Sequence, residues 1–152
     1  MKRHLIFGII YFLFTVAAIS GPYEERLKKG DDYYNEFDNK SALQNYLNAY
    51  KIDSTNYNVL FRLARTYNDL GEEYHNYREK DSSEIMINRA IEFSTRMMNY
   101  FPDSAATYAY LAMSYGNLAL FKGGNEKIKL AYKIEENAKN LCKLIPINTW
   151  HM

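Results

Sequence analysis

Residues Ser104–Phe121, SAATYAYLAMSYGNLALF, decide how this chain is read. Small and apolar side chains recur along them at helical spacing, the pattern of an amphipathic helix that must approach a neighbour closely. Tyr108, Ala112 and Tyr115 form its expected core. The same offsets return at Leu60, Ala64 and Tyr67, and again at Arg26, Gly30 and Tyr33. Recurrence of one unit along a chain points to a repeat architecture.

Outward from that stretch, the same pattern predicts five more helices. Residues 23–36 and 39–52 read as a first pair, turned at Phe37, Asp38 and Asn39, with Asp38 or Asn39 capping the second helix. Residues 56–70 follow the break at Asp53-Ser54-Thr55. They are expected to continue through Gly71 to near Tyr77, at a cost of about 1 kcal/mol relative to Ala. Residues 83–100 form the fourth, with Asp81 and Glu84 as a capping box and Pro102 as its stop. The opening stretch, capped by Asp103 or Ser104, ends at Lys122-Gly123-Gly124, and Asn125 is expected to cap the last helix, 126–144, closed by Pro146. Ala42, Tyr46, Ala49 and Ile52 mark the buried stripe of the second helix. Ile87, Ala90, Ile91, Ser94, Met97, Met98 and Phe101 mark that of the fourth, and Leu130, Ile134, Ala138, Leu141 and Ile145 that of the sixth. Connections this short fold each pair back on itself, so the expected class is all-α: a solenoid of three antiparallel helical hairpins.

Composition agrees. With 47% hydrophobic and 24% charged residues over 152, the chain holds enough apolar material for one domain, and three prolines and seven glycines leave long segments uninterrupted. Fifteen tyrosines are expected mainly to fill helix seams with their rings while the hydroxyls reach water, the other role being exposed anchors. A net charge of +1 without a basic cluster argues against nucleic acid and against an anionic membrane surface.

Residues 1–20 have the pattern of a secretory signal: MKRH, then the apolar LIFGIIYFLFTVAAI, then Ala18 and Ser20 before Gly21-Pro22. Cleavage after Ser20 is expected, with an uncleaved N-terminal anchor as the alternative; either way residues 21–152 are expected to be exported, to a periplasm or outside the cell. Loss of Lys2 and Arg3 takes the 19 basic residues to 17 against 18 acidic ones. Cys142 is the one cysteine, so no internal disulfide is available, and its apolar neighbours predict burial.

Spacings of matched positions test the repeat. Tyr33 to Tyr67 is 34 residues, Tyr67 to Tyr115 and Ala42 to Ala90 are 48, and Pro102 to Pro146 is 44. Gly30, Ala64 and Ala112 are expected where paired helices touch. Residues 23–56, with Gly30, Tyr33, Ala42, Tyr46 and Ala49, resemble a tetratricopeptide repeat in which Ser54 replaces the usual proline. Residues 57–146 are similar to the extended repeats of the regulator of microtubule dynamics family and its exported bacterial relatives. Members of that kind continue with further repeats, so the last hairpin is expected to lack a polar cap and to dock on another subunit or belong to a longer chain.

No catalytic constellation is present: His4, His75 and His151 are scattered, and HExxH, CxxC and nucleophile-elbow patterns are missing. The adjacent pairs Asp31-Asp32, Glu72-Glu73 and Glu135-Glu136 read as solvated faces. The expectation is therefore no enzyme, no cofactor and no metal. The resemblance to tetratricopeptide scaffolds implies instead a concave surface lined by the first helix of each hairpin, which brings Tyr34, Asn58, Phe61, Arg65, Asn68, Asp69, Met113 and Asn117 toward a protein or peptide partner. Asn amides would bond its backbone, Arg65 a carboxylate, and Phe61 would offer an apolar wall. The alternative is a structural subunit of a cell-envelope assembly, an oligomer packed through the last hairpin.

Overall fold

The computed structural model describes residues 21–145, whose regular structure is entirely helical. The signal or anchor segment and the Pro146 stop lie outside these residues. Six helices follow in order: α1 (Pro22–Asn35), α2 (Asn39–Ile52), α3 (Tyr57–Asn76), α4 (Lys80–Tyr100), α5 (Ala105–Ala119) and α6 (Gly124–Leu144). The most extensive contacts are α3 with α4, α5 with α6 and α1 with α2, which makes three consecutive hairpins. Side chains also join α1 to α3 and α3 to α5 on one layer, and α2 to α4 on the other.

The first two hairpins share a turn. Phe37 and Arg78 both adopt positive φ, 62° and 63°, and the following amides, Asp38 and Glu79, reach back to the carbonyls of Tyr33 and Tyr74. This is the left-handed helix exit that glycine usually supplies. Asp38 then caps α2 by accepting from the Ser41 amide at 3.0 Å.

Small residues set the seams. A Cβ on Gly30 would overlap the Tyr46 ring, and one on Gly71 would overlap Ile87. Gly71 thus lies inside α3 because α4 passes against it, and the Ser83 hydroxyl donates to its carbonyl at 2.5 Å. Ala42, Ala49, Ala64 and Ala90 are fully buried, with Leu60, Leu63, Val59 and Met97 around them. A second cluster of Ile87, Leu118, Ala119 and Leu130 ties the last hairpin to α4.

Several sequence expectations need correction. α4 starts at Lys80, so Asp81 and Glu84 make no capping box; Ser82 bonds Glu79, and Glu84 pairs with Lys122. α6 starts at Gly124 behind Gly123, leaving Asn125 inside the helix, not capping it. Ser104 does precede α5 but spends its hydroxyl on Tyr57, 3.1 Å away. In α5 the buried residues are Thr107, Leu111, Ser114, Leu118 and Ala119; the first three lie one position before the expected Tyr108, Ala112 and Tyr115, which are half-buried. Ile52 and Ile145 are exposed, and Cys142 is exposed because α6 buries only Leu130 and Asn137 fully.

Candidate protein-binding face

Helical spacing places Tyr57, Phe61, Arg65 and Asp69 in one line along α3, four residues apart. α1 lies beside this line and supplies Asp31 and Tyr34; α5 lies on its other side and supplies Tyr110, with Met113 and Asn117 further along the same face. Between α1 and α3 the surface sinks into an open notch of about 390 Å³. It is lined by Asp31, Tyr34, Asn35, Tyr57, Asn58, Phe61, Arg62 and Arg65.

The two arginines in the notch are in different states. Arg62 is spent: its Nε and Nη2 donate to the two oxygens of Asp31, each at 2.7 Å, and its Nη1 donates to the Asn58 carbonyl. Tyr46 adds a third bond to Asp31 at 2.7 Å. Burial pushes the Asp31 carboxyl up, but the bonds from Arg62 and Tyr46 and the arginine charges outweigh it, so it stays below the ordinary carboxylate range. Asp31 is therefore no solvated acid, contrary to the reading of the Asp31-Asp32 pair.

Arg65 has no carboxylate within ion-pair distance among the described residues. Its guanidinium carbon lies 3.6 Å from the centre of the Tyr34 ring and 5.6 Å from that of Phe61. Its Nε is buried without a hydrogen-bond partner. The Tyr34 ring is fixed in turn, because its hydroxyl donates to Asp69 Oδ2 at 2.8 Å. Burial, then that bond to Asp69, pushes the Tyr34 hydroxyl up to about 12. Asp69 is also raised, by burial, against the bond from Tyr34 and the charge of Arg65.

Aromatic rings complete the wall. Phe61 stacks with Tyr57 at 6.0 Å and meets Tyr110 edge-on at 5.4 Å, while Tyr57 meets Phe101 edge-on at 5.2 Å.

The eight residues expected at the surface are not all brought together. Tyr34, Phe61, Arg65 and Asp69 form one connected cluster, and Asn58 is exposed at its rim. Asn68 is buried instead: its Nδ2 donates to the Ala64 carbonyl and to the Ser114 hydroxyl at 2.8 Å, tying α3 to α5. Met113 is exposed and Asn117 half-buried, beyond the notch. Asp31, Arg62, Tyr57 and Tyr110 belong to the site and were missed; the signals available were the arginine pair three apart on α3 and the Tyr57-Phe61 spacing.

A larger hollow, about 530 Å³, opens at the other end of α3 between His75, Asn76, Arg78, Lys80, Leu120 and Phe121, where the His75 ring meets Phe121 edge-on. Among the described residues no three His, Cys, Asp or Glu side chains gather as metal ligands. No helix there is long and apolar enough to cross a membrane.

Comparison with known proteins adds one match. Residues 26–152 fit the family described as Regulator of microtubule dynamics protein 1-3. No curated protein matches the chain.

Proposed function

We propose, from the premise that this chain belongs to the regulator of microtubule dynamics family, that it is an exported, non-catalytic scaffold of tetratricopeptide-like build. It holds an extended protein segment on the face formed by α1, α3 and α5. The observation that carries this reading is the notch itself: an aromatic wall of Tyr57 and Phe61, backed by Tyr110, beside an arginine with no carboxylate within ion-pair distance among the described residues. Such a surface offers a main chain both an apolar rest and a directional donor.

Site-specific photocrosslinking tests it. A photoreactive residue at Asn35 or Asn58, on the notch rim, should capture a defined partner from envelope extract, whereas one at the exposed Asn88 on α4 should not. Equal capture at all three positions would count against the face. Export is tested separately by sequencing the N-terminus of the expressed chain, which should begin at Gly21; a chain that keeps Met1 and stays with the cytoplasmic fraction would remove that part.

One observation favours a second reading, a subunit of a larger assembly: Ile128 and Tyr132 on α6 are 55% and 68% exposed. Light scattering decides it, since a monomer across a wide concentration range would leave those residues as ordinary surface.

A further inference from the structure

We propose that Arg65 is a monoanion subsite of this face, built to take one carboxylate from the bound segment. The proposal rests on the binding-face reading above and specifies its chemistry. Of the two notch arginines, Arg62 already holds a carboxylate in fork geometry, whereas Arg65 has no carboxylate within ion-pair distance among the described residues and its Nε has no hydrogen-bond partner, so its donors are the ones left to a ligand. The Arg65 guanidinium lies over the Tyr34 ring, and Asp69 holds that ring through its hydroxyl, so the planar donor is oriented before any ligand arrives. Preorganisation of this kind removes part of the entropy cost of binding.

The surroundings favour a singly charged ligand. Asp31 lines the notch and Asp69 lies against Tyr34, so every negative charge brought to Arg65 is opposed by two carboxylates, and a dianionic phosphate is opposed about twice as strongly as a carboxylate. The Phe61 ring beside Arg65, with Tyr57 and Tyr110 packed against it, suits an apolar or aromatic neighbour of the acidic group. The ligand class is thus an extended peptide carrying a carboxylate beside an apolar side chain.

The test follows the arginine Nε–Hε signals of the isotope-labelled full chain by NMR during titration with four short peptides. These are acetyl-Ala-Glu-Phe-Ala-amide, its Gln counterpart, that Gln peptide with a free C-terminal carboxylate, and the phosphoserine counterpart of the first. The expected result is a saturable shift of the Arg65 signal with the Glu peptide, little change at Arg62, and binding weaker by about tenfold for the Gln amide. A shift restored by the free C-terminus would assign the carboxylate to a chain end; a shift only with Glu assigns it to a side chain. Either supports the subsite. Equal shifts with the Gln amide, tighter binding of the phosphoserine peptide, or movement of Arg62 in place of Arg65 would each overturn it.

Arg65→Lys keeps the charge and loses the planar fork, so it should weaken the Glu peptide by about tenfold. Should that variant fail to fold, the unmutated titration decides alone. The two readings fail separately. Crosslinking at Asn58 that survives in a folded Arg65→Gln chain keeps the face and removes the carboxylate subsite, whereas crosslinking lost at the rim in the unmutated chain removes the face.

Discussion

At the scale of single residues, the left-handed turns give the simplest test. Phe37 carries φ 62° with its side chain 90% exposed, so it holds a strained backbone for no packing return. Phe37→Gly should raise stability by about 0.5–1 kcal/mol, the relief of that strain less the added freedom of the unfolded chain, read by urea unfolding. Gly71→Ala should do the opposite. It gains helix propensity of about 1 kcal/mol, yet its methyl meets Ile87, and the net effect should be a loss of about 1–2 kcal/mol. Asp31→Asn should cost about 1–2 kcal/mol near neutral pH, a figure held low because the pair is partly solvated. Since the folded carboxyl titrates below its unfolded value, its contribution is present above about pH 4 and lost as pH falls through the folded value; the variant should lack that acid limb in a stability–pH series. Tyr34 titrates the other way. Its contribution is complete below the ordinary tyrosine value of 10.0 and lost as pH rises toward about 12, so Tyr34→Phe should flatten the alkaline limb. The partners of these residues were not legible in sequence, because Asp31 and Arg62 stand 31 positions apart and only the packing of α1 on α3 joins them.

At the scale of helices, periodicity carried the reading, while capping chemistry marked the start of α2 at Asp38 and misled at α4 and α6. α2 spans Asn39–Ile52 as the spacing predicts, and α3 passes through Gly71, because a long apolar stripe outweighs one poor helix former. The starts of α4 and α6 were misplaced, since both helices begin without a side-chain cap and no capping signal could mark them. α5 slipped by one position. It is apolar almost all round, so its sequence does not say which face is inward, and Thr107 and Ser114 are buried as well as Leu111 and Leu118. That slip is why Tyr110 was missed beside Phe61. It also decides where a larger side chain overpacks the seam, expected from sequence at both Ala64 and Ala112. Ala112→Leu, at a half-buried position, should cost well under the roughly 1–3 kcal/mol expected for Ala64→Leu, whose site has no exposed surface. Thermal unfolding of the two variants side by side checks this, and an equal loss would return the seam to Ala112.

At the scale of the molecule, three hairpins stacked in two layers leave α1, α3 and α5 side by side, and that adjacency assembles the notch from residues of separate repeats. The all-helical class and the hairpin order were readable because each depends on spacing within one segment. The notch was readable only in part, because it depends on how segments meet. The central claim is that this layer, and not α2, α4 and α6, receives a protein segment. Hydrogen exchange of the full chain, alone and with the partner captured at Asn58, measures it most directly. Slowed exchange confined to α1, α3 and α5, strongest around Phe61 and Arg65, is the expected result; protection centred on α4 or α6 with those helices unchanged would contradict it.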